Sequence, residues 1–276
     1  MLSRHIGKII EAHGPTYPFE LIAPFTAKAD LAFANLENPV STRGTHQGSI
    51  YSFRANPSAL QGLQFAGFDV VSIANNHLFD WGLDAFTDTL SHLKKYNILF
   101  AGGGMNQEEA NAWAVKRING AQYCFLAYTQ FASRFLKEGE PGMAFLKKEK
   151  VLEAITQAKE KGACNAVIIS IHWGNEYETA PFPEQKVLAR SFIDGGALLV
   201  IGHHPHVAQE VEEYKDGLIA YSLGNFVFDQ NFSPDTRRGL VLSVEAKGGK
   251  VVKFEKTTIN FNDTFQPYIP NKEIKP

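Results

Sequence analysis

Cysteine is nearly missing from this chain: Cys124 and Cys164 are the only two in 276 residues. They sit in or beside apolar stretches, QYCFLAY and GACNAVIIS, and read as buried free thiols. Charge of one sign is lacking too. The net charge is −2 and no basic run occurs, which leaves no footing for nucleic acid or an anionic membrane as a partner. No apolar run approaches the ~18 residues that a spanning helix needs. The opening MLSRHIGKIIEAHG has no apolar core of a signal peptide. As written, the chain reads as soluble, with its cellular compartment left open. Internal repeats, low-complexity segments and clear linkers are absent as well. What remains is an ordinary globular composition, 44% hydrophobic and 20% charged, in a length that suits one large α/β domain.

Short apolar runs alternate with helical patterns through the first three quarters of the chain. DLAFAN (30–35), FDVVSIAN (68–75), NILFAG (97–102), AVIISIH (166–172) and ALLVIG (197–202) read as strands. Helices are expected over 57–67, 83–97, 147–162 and 183–196, the second with Leu83, Phe86, Leu90 and Leu93 on one face. Asn119-Gly120 joins WAVKRI to AQYCFLAY as a hairpin. From about 207 the pattern turns to β, in VAQEVEEY, GLIAYSLGNFVF, GLVLSVEA and KVVKFEKTTI. Strand–helix alternation followed by consecutive strands suggests an α/β sandwich with mixed sheets. We expect one domain over 1–262 and a loosely held tail over 263–276.

In α/β sheets, ligands bind beyond the carboxyl ends of strands. Here those ends carry Asn35-Leu36-Glu37, then Asn75-Asn76-His77, then His172-Trp173-Gly174 with Glu176 close by, then His203, His204 and His206, and finally Asn225. Each alone has a plain structural meaning. His172 suits a hydrogen-bonded core histidine, Asn75-Asn76 a turn or cap, and Glu37 an ion pair with Arg43. Together they form a set of oxygen and imidazole donors without cysteine, which suits a catalytic divalent cation such as Mn, Fe or Zn better than a closed structural zinc. Amides placed directly after an apolar strand need partners, because burying one unpaired costs a few kcal/mol, about 2 or more.

The stretches ADLAFANLENPVSTRG, FDVVSIANNHLFDWG, SIHWGNEYE, VIGHHPHVAQ and YSLGNFVFDQ resemble the CapA family of capsule or poly-γ-glutamate biosynthesis proteins, itself similar to calcineurin-like metallophosphoesterases. The resemblance implies a four-layer sandwich of two mixed β-sheets flanked by helices. It also implies roles. Glu37 replaces a metal-bridging carboxylate, Asn76 is an amide ligand, and His172, His204 and His206 are metal ligands. His77 contacts or protonates the leaving group, and His203 is a neighbour only. Arg54, Glu176 and Asn225 are weaker candidates for substrate contact.

The family pattern opens with a strand ending in Gly-Asp, then a methionine two residues after the aspartate; Met1 matches that methionine, and any signal or anchor would lie upstream of it. Without that aspartate, Glu37, Asn76, His172 and His204 are expected to hold one cation well and His206 to face a weakened second site. The leading expectation is a metal-dependent hydrolase of the phosphoesterase-like class, in which the metal acidifies bound water toward ~7. The partners expected are an anionic polymer or a phosphoester or amide substrate, and other capsule-synthesis proteins. The alternatives are a non-catalytic accessory of capsule assembly, or a γ-glutamyl amide hydrolase.

Overall fold

A computed structural model describes residues 1–131, 139–160 and 162–270. The helices are α1 (Arg4–His13), α2 (Ala23–Thr26), α3 (Leu60–Phe65), α4 (Gly82–Lys95), α5 (Gln107–Ala110), α6 (Lys148–Glu160) and α7 (Pro183–Gly195). The small sheet is β1 (Ala32–Asn35), β2 (Phe68–Ser72) and β3 (Leu99–Ala101), all parallel. Two-residue strands β4 (Gly103–Gly104) and β7 (Gly142–Met143) pair with each other.

The large sheet contains β5 (Ala114–Ile118), β6 (Ala121–Thr129), β8 (Ala166–His172), β9 (Leu199–His203), β10 (Val211–Tyr214) and β11 (Gly217–Ala220). Its order is β10-β11-β9-β8-β6-β5, parallel in the middle and antiparallel at both edges. A third sheet is the antiparallel ribbon of β12 (Arg238–Lys247) and β13 (Lys250–Phe261), with short β14 (Pro267–Tyr268) on its end.

The layers follow from where each strand sends its alternate side chains. One core cluster joins Ile6, Ile10, Leu63, Phe86 and Leu90 of α1, α3 and α4 to Phe68 and Val71 of β2. A second fills the space between the sheets with Val70, Ala101, Phe125, Ile168 and Ile201. A third packs Val151, Ile155, Ala189 and Phe192 of α6 and α7 on Val167, Ile169, Ile171 and Val200. Three packed interfaces separate four layers: helices, small sheet, large sheet, helices. In β8, Val167, Ile169 and Ile171 serve the helical side and Ile168 the sheet–sheet side. His172 continues the second row and leaves the strand at the mouth of the seam between the sheets.

Several expectations change. Cys124 and Cys164 are not free thiols but a disulfide, with their Cα atoms 5.7 Å apart. Parallel pairing of β6 with β8 sets Cys124 beside Val167 and so brings the residues just before β8 within bridging range. GLIAYSLGNFVF is not one strand. β11 stops at Ala220, and Gly224 with φ +68° turns the chain so that Asn225 enters the site. Leu83 is exposed, so the buried face of α4 begins at Ala85 and Phe86. The opening segment is an amphipathic helix, α1, with Ile6, Ile9 and Ile10 inward. The stretch after Asn262 is held as far as Pro270: Phe265 joins the first core cluster, and Gln266 Nε2 donates to Tyr17 O at 2.6 Å. Residues 271–276 lie outside the described residues. No helix among the described residues is long and apolar enough to cross a membrane.

Gly202 shows how tightly the end of β9 is fixed. A Cβ there would overlap the Tyr221 carbonyl oxygen and crowd Trp173 Nε1. Gly202→Ala is therefore expected to destabilise the fold by about 3 kcal/mol or more. A midpoint in denaturant within experimental error of wild type would contradict this packing.

Candidate metal centre

The parallel registers bring the carboxyl ends of β1, β2, β8 and β9 to one edge of the sandwich. Asn35 pairs with Ser72, and His172 with His203. Past these ends the chain is held in unusual backbone. His204 has φ +102° and His206 φ +59°, on either side of Pro205. Left-handed geometry in non-glycine residues costs on the order of 1–3 kcal/mol each and is retained where a site needs it. Here it turns both rings into the seam where His172 emerges.

Five sequence-predicted ligands meet there. Glu37 Oε1 lies 3.5 Å from His206 Nε2 and 3.7 Å from His172 Nε2. His172 Nε2 also lies 2.8 Å from Asn76 Oδ1 and 3.2 Å from His204 Nδ1. Ligand atoms of Glu37, His204 and His206 all fall within 4.8 Å of one another. His204 and His206 both belong with Glu37 in this cluster. Arg43, the other candidate partner of Glu37, is taken instead by Asp88.

Burial sets the charge states. It pushes the Glu37 carboxyl up to about 7, against a pull downward from His77 and from the Asn35 amide, which donates to Oε2 at 2.8 Å. Burial pushes His204 down to about 4 and His206 to about 3. It also holds His172 well below the ordinary imidazole range, reinforced by the neighbouring His204. At neutral pH the three rings are neutral and carry the lone pair a cation requires. His203 is likewise pushed down to about 3 by burial, but its ring turns toward Phe33, at 6.1 Å between centroids. It stands outside the cluster.

Second contacts fix how two rings face. Thr236 O, which can only accept, lies 3.0 Å from Asn225 Nδ2. That places the Asn225 oxygen against His206 Nδ1 at 3.0 Å, so Nδ1 carries the proton and Nε2 presents its lone pair to Glu37. Asn225, expected at a substrate, is instead a support for His206. His77 Nδ1 meets Asp80 Oδ2 at 2.9 Å, and Asp80 is itself held by the Phe53 N–H at 2.8 Å. Asp80 was not singled out from the sequence; its place three residues after His77, in NHLFD, was the available signal. Asn75 is buried and structural, donating to Leu36 O at 2.9 Å. Arg54 stacks on Trp81 at 3.6 Å and donates to Arg43 O, so the contacts of its guanidinium lie away from the cluster. Glu176 is exposed at the rim, near enough to raise the Glu37 carboxyl further.

The residues fit a divalent cation. Donors ~2.1 Å from a shared ion lie about 3.0–3.4 Å apart; the pairs above run from 2.8 to 3.7 Å and bracket that spacing. Glu37 Oε1 is buried with no hydrogen-bond partner among the described residues. Such an orphan is costly unless something opposite it supplies charge or a donor.

The family described as bacterial capsule synthesis protein PGA_cap matches residues 1–230. The chain is 32% identical over 249 residues to the capsule biosynthesis protein CapA of Bacillus anthracis, covering 87% of this chain and 61% of that protein. It is 30% identical over 280 residues to the PGA biosynthesis protein CapA of Bacillus subtilis (strain 168), covering 100% of this chain and 73% of that one. The chain thus spans about three fifths of the first relative's length, 61%. A solved structure of a hypothetical protein from Thermus thermophilus superposes with a TM-score of 0.56 at 16% identity, covering 89% of this chain and 93% of that one, which is a likeness of fold.

Proposed function

Because the chain belongs to the PGA_cap family of bacterial capsule synthesis proteins, we propose that it is a metal-dependent hydrolase acting in capsule or poly-γ-glutamate biosynthesis. One observation carries the reading: the buried, unpartnered Glu37 oxygen lies among His172, His204 and His206. Glu37, Asn76, His172, His204 and His206 would hold the cation. When bound, it supplies Lewis-acid polarisation and activation of water.

The chain's own groups do the rest. Asp80 holds His77 with its proton on Nδ1, leaving Nε2 to take or pass a proton at the reacting group. Asn76 Nδ2, 3.2 Å from that Nε2, keeps the ring aimed into the site. Phe53 covers the His77 ring edge-on at 4.6 Å and shields it from water. Asp80→Asn is expected to slow turnover by about 100-fold while cation affinity stays within a factor of two. Equal turnover in the variant would remove His77 from the proton path.

The substrate is an ester or amide linked to an anionic polymer. A panel of phosphoesters and γ-glutamyl peptides, run with and without chelator, tests the proposal. Chelator-sensitive turnover of one class supports it and names the bond. Cation binding without turnover of any member would leave the accessory role instead.

A further inference from the structure

Arg54, the cation expected to meet an anionic substrate, is engaged elsewhere: it stacks on Trp81 and donates to Arg43 O. Arg43 is itself paired with Asp88. A third guanidinium, from the first residue of α1, is placed differently. Arg4 Cζ lies 5.3 Å from the centre of the Phe53 ring. Phe53 packs on His77 at 4.6 Å and on Phe228 at 5.8 Å between ring centres, and Phe228 packs on His206 at 5.2 Å. Arg4 thus stands one ring away from His77 and two away from a histidine of the cluster.

The guanidinium is held in place with donors to spare. Its Nε lies 3.4 Å from Asp229 Oδ2, an oxygen that already accepts the His5 N–H at 3.2 Å. Among the described residues, Nη1 and Nη2 make no hydrogen bond, and the side chain is 44% exposed. The backbone at Arg4 is left-handed, with φ +55°, a conformation that a non-glycine residue keeps only where its surroundings impose it. A guanidinium seated on an aromatic ring, held at one nitrogen and open at the other two, can take a planar anion by two parallel N–H···O bonds. One such cation, partly neutralised by Asp229, suits a singly charged carboxylate better than a doubly charged phosphate.

The geometry points to Arg4 as a substrate-binding residue that holds a carboxylate on the unit next to the bond cleaved. It makes the site selective for a chain that carries a carboxylate at each repeat, over a neutral amide of the same length. The assignment rests on the reading of the seam as the place of reaction, so its test needs neither cation nor turnover.

The probes are γ-linked triglutamate and the same peptide with its α-carboxyl groups converted to amides, each titrated calorimetrically into chelator-treated protein at low salt. Wild type is expected to prefer the carboxylated peptide about tenfold, at the low end of what a hydrogen bond to a charged group contributes. Arg4→Gln should lose that preference and keep wild-type affinity for the amidated peptide. Arg4→Lys keeps the charge without the fork; it should recover part of the preference, and it gives the same comparison if Arg4→Gln does not fold. Equal weakening toward both peptides would make Arg4 a structural residue. Equal affinity of wild type for the two, or no binding of either, would overturn the proposal, as would Arg4-dependent binding of inorganic phosphate in place of the peptide. Carboxylate-selective binding without hydrolysis of any substrate would instead leave Arg4 in its role and remove the hydrolase reading.

Discussion

Glu37→Gln is expected to do two opposite things: abolish tight cation binding and stabilise the metal-free protein. The wild-type carboxyl is buried, with a pKa pushed up to about 7 by that burial and Oε1 unpartnered. Above pH 7 the metal-free fold must hold it ionised, which opposes folding. Glutamine removes the charge, keeps an oxygen for the Asn35 amide, and offers an N–H toward His206 Nε2. The expected gain at pH 8 is on the order of 2 kcal/mol, read as a higher melting temperature in chelator. The same change deletes the only anionic donor in the cluster among the described residues, so cation affinity should fall by more than about 100-fold, beyond what loss of an outer partner causes. A variant that is less stable in chelator, or that binds cation as wild type does, would contradict the role given to Glu37.

The second large effect concerns acid. Burial holds His203 and His206 down to about 3 and His204 to about 4, and holds His172 low as well. The unfolded chain protonates these rings near 6.5, while the fold refuses the protons. Stability from them is therefore fully present above 6.5 and is lost as pH falls through the range down to about 3–4. Glu37 works the other way. Between 4.5 and about 7 the fold keeps a proton that the unfolded chain has released, so its contribution falls as pH rises. Four rings outweigh one carboxyl. The net slope is at most on the order of 4 kcal/mol per pH unit, enough to exhaust a typical stability of about 5–15 kcal/mol before pH 4. Chelator-treated protein should melt progressively lower from pH 6.5 to 4.5, and a bound cation should shift the loss to lower pH, because it must be displaced first. A flat melting temperature across that window would mean that the rings are not held neutral.

Much of the site was legible because strand ends are legible. Apolar runs locate where β2, β8 and β9 end, and the donors Asn76, His172 and His204 stand at those ends or a few residues beyond them. The Asn-Gly hairpin of β5 and β6 was legible because that turn depends on two residues alone. What was missed depends on contacts across the chain. Asp80 and Asn225 act through a ring nitrogen of His77 and of His206, which spacing does not encode. The Cys124–Cys164 pair follows from the register of β6 on β8, and a separation of 40 residues does not reveal register. Arg54 was read by its charge, whereas its position beside Trp81 decides its contacts. The strand reading of GLIAYSLGNFVF failed at Gly224, where positive φ overrides the apolar pattern.

Isothermal titration of Mn²⁺ into chelator-treated protein, beside His172→Ala and His204→Ala, tests the central claim most directly. The expected result is saturable binding in wild type and its loss in both variants, which retain the fold by circular dichroism. Binding that persists in both, or no binding in wild type, would contradict the cluster as the metal centre.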